Sequence, residues 1–128
     1  MTIHQEVDFD CSVQEVFDAL VSAEKFGTMT GAPTEIQARD GGVFSCFGGM
    51  ITGMTIEMIP NARLVQAWRV KDWEPGIYSI VKFEIMDKGG EKTKLTFDHT
   101  GFPEDRKSHL EQGWHDNYWN PMKKFLKA

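Results

Sequence analysis

Glu111 and His115 stand one helical turn apart in the stretch Ser108–Lys127, SHLEQGWHDNYWNPMKKFLK. A carboxylate beside an imidazole in a dry pocket can move protons, because burial and pairing tune both pKa values. The plainer reading makes Glu111 a helix cap and His115 a residue at the edge of a packing contact. His99, in the run KTKLTFDHT, is a further acid–base candidate, with a hydrogen-bonded core imidazole as its plainer role. Tyr118 could donate a hydrogen bond to a ligand carbonyl or enolate, or serve as an amphipathic core residue. Other chemistries lack their residues. The four histidines, His4, His99, His109 and His115, show no metal-ligand spacing, and His109 and His115 lie about 240° apart on a helix. Gly48-Gly49 falls between two strand-like runs, so it opens no phosphate-binding helix. There is no Gly-x-Ser-x-Gly elbow, and Cys11 and Cys46 form no motif. Two unpaired thiols fit a reducing cytosol.

A helix must carry these residues. At about 100° per residue, Leu110, Pro121, Trp114, Phe125, Tyr118, Met122, Leu126 and Trp119 fall on one half of the wheel. Charged and amide side chains fill the other half, with Glu111 and His115 inside the apolar arc. Ser108 with Glu111 has the spacing of a capping box, and Lys123, Lys124 and Lys127 suit the negative end of the dipole. Pro121 removes one backbone hydrogen bond. A kinked but continuous helix is expected, because Phe125 and Leu126 keep the phase of Leu110 and Trp114.

So wide an apolar face needs a large partner surface. Ile3, Gln5, Val7 and Phe9 alternate with polar residues, as in a strand with one buried face. Ser12 and Glu15 form a capping box ahead of Val13, Val16, Phe17 and Leu20 at helical spacing. Ser22 is expected to cap a second short helical turn ending near Gly27, followed by a loop from Thr28 to Pro33. Six strand-like runs then follow: TEIQA, VFSCF, MITGMTIEMI, RLVQAWRV, IYSIVKFEIM and KTKLTFDHT. Asp40-Gly41-Gly42, Gly48-Gly49, Pro60-Asn61, Glu74-Pro75-Gly76 and Gly89-Gly90 punctuate them, and such short connections imply an antiparallel meander. Alternation turns Phe44 with Cys46, Thr52 with Met54, Ile56 and Met58, Gln66 with Trp68, Ser79 with Val81, Phe83 and Ile85, and Leu95 with Phe97 and His99 toward the helix. The fold class is therefore α+β. About seven antiparallel strands curve around a long C-terminal helix, with two short helices after the first strand.

A chain of 128 residues suits one domain, spanning 1–128, with a core that needs neither disulfide nor metal. The net charge of -5 argues against nucleic acid or an anionic membrane as partner. The charged N-terminus MTIHQEVDFD is no signal peptide, and no apolar run nears the ~20 residues of a membrane span. A cytoplasmic protein without metal or cofactor is expected. Ile51, Ile59, Val65 and Ile80 would form an exposed face able to support a homodimer.

Several local motifs fit one family. Gly41-Gly42-Val43-Phe44, Ile51-Thr52-Gly53, Trp68-Arg69, Asp72-Trp73, and Gly113-Trp114 through Tyr118-Trp119 to Pro121 together resemble the homologues of the heat-shock protein 90 ATPase activator. Those belong to the START-like (Bet v 1-like, SRPBCC) helix-grip proteins, and the similarity runs from about Phe9 to Leu126. The resemblance implies a β-α-α-β6-α order and a cavity between sheet and last helix. Related helix-grip proteins bind lipids, hormones or polyketides, and some catalyse cyclisation or dehydration. The eukaryotic activator adds a separate N-terminal domain that makes major chaperone contacts, for which these residues leave no room. Fold and cavity are therefore carried over, and the co-chaperone role is not. The first expectation is a binder of a small apolar or amphipathic molecule. Phe26, Met29, Phe44, Met54, Trp68, Trp73, Phe83, Phe97, Trp114 and Tyr118 would line its cavity, since rings and thioethers adapt to apolar ligands. A cyclase or dehydratase using Glu111, His115 or His99 is one alternative. A co-chaperone-like interaction module is the other.

Overall fold

The computed structural model describes residues 1–127. Strand β1 (Thr2–Phe9) leads into helices α1 (Val13–Val21) and α2 (Ala23–Thr30). Strands β2 (Glu35–Ile36), β3 (Val43–Cys46), β4 (Ile51–Ile59), β5 (Arg63–Val70), β6 (Ser79–Asp87) and β7 (Thr93–Thr100) follow. They form one seven-stranded antiparallel sheet in the order β1-β7-β6-β5-β4-β3-β2. The chain ends in a helical rod made of α3 (Lys107–Trp114), a π turn (His115–Trp119) and α4 (Asn120–Leu126). The core lies between the rod, α1, α2 and the concave face of the sheet. This is the expected helix-grip architecture.

Local chemistry sets the boundaries. Ser12 accepts from the Glu15 amide while the Glu15 carboxylate takes the Ser12 amide, so α1 starts on the expected capping box. Ser22 caps α2. That helix passes Gly27 and runs on to Thr30, where Gly31 at φ 71° closes it. The expected loop from Thr28 therefore begins three residues later. TEIQA contributes only Glu35 and Ile36 as strand.

Inner faces agree with the alternation on most strands. Phe44 and Cys46, Leu64, Gln66 and Trp68, Ser79, Val81, Phe83 and Ile85, and Leu95, Phe97 and His99 are all buried. Strand β4 differs. Ile51 and Thr55 are buried there, whereas Met54 and Ile56 are exposed on the convex face. A bulge between Thr55 and Glu57 shifts the phase, so that Met58 turns back to the core opposite Leu64. Gly53 sits between Phe44 and Trp68, its cross-strand partners. A Cβ there would lie 2.6 Å from Phe44 Cζ and 1.9 Å from the Ala67 carbonyl oxygen, so only glycine lets these rings close over β4.

The rod also departs from its expected start. It grows out of a 3₁₀ turn (Glu104–Arg106) and begins at Lys107, so Ser108 is already inside the helix and caps nothing. Ahead of Pro121, the Asn120 amide reaches back five residues to the His115 carbonyl. A wider turn suits a residue that has no N–H and whose ring would strike the carbonyl four residues back.

Candidate functional site: an aromatic cleft beneath the rod

Between the first half of the rod and the β4–β5 end of the sheet lies a cleft of about 420 Å³. Trp68, Trp73, Trp114, Tyr118 and Phe47 give it aromatic walls, and Ile51, Val70 and Leu110 add aliphatic surface. Gly113 leaves the helix side open, and Asp72, Arg106, His109 and Asn117 supply polar groups. This size and this mostly apolar lining are those of a small-molecule site.

One lip is the segment between β5 and β6, and Arg69 organises it. Its guanidinium donates to the carbonyls of Trp73 (2.8 Å), Glu74 (2.9 Å) and Ile77 (3.1 Å). It also stands 5.7 Å from the centroid of the Tyr78 ring. A rigid fork of donors can hold a loop in this way where an ammonium could not. Trp73 is thereby fixed edge-on against Trp68. Across the mouth Arg106 reaches Asp72 at 3.2 Å, linking the lip to the start of the rod.

The wall behind Trp114 is set by a chain of buried hydrogen bonds. The Trp114 indole N–H donates to His99 Nδ1 (3.1 Å), so the imidazole proton sits on Nε2. Nε2 lies 2.8 Å from Ser79 Oγ, which donates to the Trp68 carbonyl at 3.0 Å. Burial pushes the pKa of His99 down to about 3. It is a neutral positioning residue with both nitrogens engaged, as its plainer reading holds. Trp119 is anchored separately, by its indole N–H on Gln5 Oε1 at 2.6 Å.

The residues expected to line one cavity are distributed over five places. Trp68, Trp73, Trp114 and Tyr118 meet at the cleft. Phe26, Phe44 and Phe83 close around a void of about 10 Å³, too small for any organic ligand. Phe97 is packed solid, with ring centroids 4.2 Å from Trp114 and 5.2 Å from Trp119 and Phe83. Met29 borders a shallow hollow with Pro121 and Phe125 near the far end of the rod, and Met54 is on the opposite face of the sheet. Glu111 and His115 are exposed, so neither faces the core and they form no buried proton-transfer pair. Sequence reasoning missed Phe47, Met50, Arg106, His109 and Asn117. Phe47 has φ 54° in a tight 3₁₀ turn that alternation cannot describe. Asn117 lies on a stretch whose facing depends on the π turn.

Nothing in the cleft is charged at its buried end. Tyr118, buried and packed on Phe26 and Trp114, has its hydroxyl pKa raised by desolvation. Burial also pushes the Cys46 thiol up to about 12 and the Cys11 thiol to about 11, so neither is a thiolate at neutral pH. Among the described residues no three of His, Cys, Asp and Glu converge as metal ligands. No described helix is long and apolar enough to cross a membrane.

Comparison with known proteins gives this architecture a family. The model described as activator of Hsp90 ATPase homolog 1-like protein matches residues 10–127. The activator of 90 kDa heat shock protein ATPase homolog of Dictyostelium discoideum is 30% identical over 122 residues, covering 95% of this chain and 32% of that protein. Homolog 1 from Homo sapiens is 29% identical over 115 residues, covering 90% and 34%. The chain thus spans about a third of the length of these curated relatives. Among solved structures, an Hsp90 activator from Plasmodium falciparum superposes with a TM-score of 0.93 at 24% identity, covering 99% of this chain and 96% of that one. The Aha1 dimer from Colwellia psychrerythraea gives 0.83 at 15% identity, covering 98% and 96%. With the family model spanning nearly all of the described residues, the chain belongs to the activator of Hsp90 ATPase homolog 1-like family.

Proposed function

We propose that this domain binds a small apolar or amphipathic molecule in the cleft beneath the rod, and that it does so in the cytoplasm. The observation that carries the reading is the cleft itself: about 420 Å³ walled by Trp68, Trp73, Trp114 and Tyr118. A core packed for stability alone closes such volume, as it does around Phe26, Phe44 and Phe83. The lip held by Arg69 keeps the opening preformed, which lowers the ordering cost of binding. Native mass spectrometry of protein purified from its own host, with and without Gly113→Leu, tests it. A Cβ on Gly113 meets only Asn117 Nδ2, at an ordinary 3.7 Å, so leucine fits the helix and projects into the cleft. Retained ligand on the parent protein and none on the variant is expected. An empty parent protein under all conditions overturns the reading.

A second reading rests on the relatives' names: contact with the Hsp90 chaperone. The convex face of the sheet offers a surface for it. Val43, Met54, Ala67 and Ile80 are cross-strand neighbours in one row, with Val43, Met54 and Ile80 each more than two-fifths exposed. The same row suits a second copy of this chain, and the relative from Colwellia psychrerythraea is a dimer. Of the residues expected on a dimer face, Ile51 is buried in the core instead. Stimulation of Hsp90 ATP hydrolysis by this chain, lost with Met54→Lys and kept with Gly113→Leu, separates the two readings. The cyclase or dehydratase alternative finds less support, because Glu111 and His115 are exposed and both nitrogens of the buried His99 are taken up by Ser79 and Trp114.

A further inference from the structure

At the buried end of the cleft one polar group lacks a partner. Trp68 is 3% exposed, yet its indole N–H makes no hydrogen bond. The indoles of Trp114 and Trp119 are each satisfied, by His99 and Gln5. The Trp68 N–H lies beside the Tyr118 hydroxyl without closing a bond of acceptable geometry. Both side chains line the cleft. A buried, unsatisfied donor is a standing cost, and in a native protein such a group answers to a water, to strain or to a bound partner. Trp68 is also not free to turn away, because its ring is wedged against Trp73, Trp114 and His99 at centroid distances of 5.0–5.8 Å.

We infer that the cleft selects ring-bearing apolar molecules that carry a hydrogen-bond acceptor oxygen, a ketone above all, received by the Trp68 N–H and the Tyr118 O–H together. This rests on the cleft reading above and adds the ligand class to it. Two neutral donors side by side, with aromatic faces around them and no charge within the buried end, match an uncharged carbonyl. A ligand carboxylate would meet no countercharge there and would remain at the mouth, near Arg106. A pure hydrocarbon would leave the N–H orphaned and forfeit the difference.

9-Fluorenone and fluorene test this, since they have the same ring outline and differ at the carbonyl. Fluorenone should bind the wild-type protein about threefold to tenfold more tightly in a tryptophan-fluorescence titration, the range one buried neutral hydrogen bond supplies. In ¹H–¹⁵N spectra the Trp68 indole N–H should move downfield with fluorenone and not with fluorene, with the Trp119 indole as a quiet reference. Trp68→Phe should equalise the two affinities by weakening fluorenone alone, and Tyr118→Phe should narrow the gap. Equal affinities in the wild-type protein overturn the acceptor preference and leave the apolar cleft standing. Binding of neither compound overturns both. Should Trp68→Phe not fold, the wild-type ratio and the N–H resonance decide.

Discussion

His99→Gln isolates the cost of holding a neutral imidazole in the core. The amide can still accept from the Trp114 indole and donate to Ser79, so the chain of hydrogen bonds behind the cleft survives while the titration is removed. In the unfolded chain a histidine binds its proton below about pH 6.5. In the fold His99 resists until about 3, because protonation would bury a charge with no counterion. Between those values unfolding takes up a proton, so the unfolded state gains as pH falls. The stability that His99 contributes is therefore complete above pH 6.5 and is lost downward through the window. Over its whole width the loss is about 5 kcal/mol, and about 2 kcal/mol has gone by about pH 5. Urea unfolding at about pH 7.5, 6 and 5 reads this as a midpoint that drops by roughly 1 M, given the usual slope for a domain this size. His99→Gln should flatten that decline. Glu6 and Asp10, whose carboxyls are held low by hydrogen bonds from Lys94 and Lys92, lose their contribution only below this range. His4 works in the opposite sense, its pKa raised by the hydrogen bond to Asp98, so its contribution fades as pH rises. A variant that keeps the full wild-type decline to pH 5 would refute the buried neutral His99.

Two other substitutions probe the frame of the cleft. Gly53→Ala should cost about 3 kcal/mol or more by thermal unfolding, since the added Cβ overlaps the Ala67 carbonyl and the Phe44 ring and β4 must shift. Arg69→Met keeps the apolar stem but releases three carbonyls of the lip. Overall stability should fall by only about 1–2 kcal/mol, while amide exchange across Trp73–Ile77 speeds up and ligand affinity drops.

The element order, the antiparallel meander and most inward-facing residues could be read from the chain because their signals are local. Alternation in β1, β6 and β7 pits apolar against polar side chains, so one phase is clearly inside. It failed in β4 because MITGMTIEMI is apolar in both phases and carries a bulge. Burial of Thr55 and the glycine under Phe44 are tertiary facts, set by rings on neighbouring strands. The cleft was legible as to its helix side, Trp114 and Tyr118, its sheet side, Trp68, and its lip, Trp73. Its mouth was not, because Phe47, Arg106 and His109 sit on turns or at a helix start whose facing no period governs. A space between elements leaves no pattern at all, and Phe83 and Phe97 have the same periodicity whether they wall a cavity or fill it.

The misplacement of Glu111 and His115 has a single cause, and it yields a further test. On an uninterrupted helix Trp119 and Met122 lie about 180° and 120° from Leu110, and the apolar arc widens to half the circle. The π turn holds one extra residue, which removes about 100° from everything after it. Trp119 and Met122 then fall near 80° and 20°, and Tyr118 near -20°, on a narrow stripe with Leu110 and Trp114, all five of them buried. Glu111 near 100° and His115 near 140° lie at or beyond its margin, where they are exposed. The excessive width of the arc in the sequence was thus two aligned faces seen out of phase. Deleting the exposed Asp116, together with Pro121→Ala to remove the ring that would strike the Asn117 carbonyl, should convert the rod to a plain α-helix with the same buried stripe. Inserting an alanine after Asp116 should instead turn Tyr118, Trp119 and Met122 a further 100° or so, away from the sheet. The deletion variant should keep the near-ultraviolet circular dichroism of the packed tryptophans, and the insertion variant should lose it. If both lose it equally, the π turn is not what sets the facing of the rod.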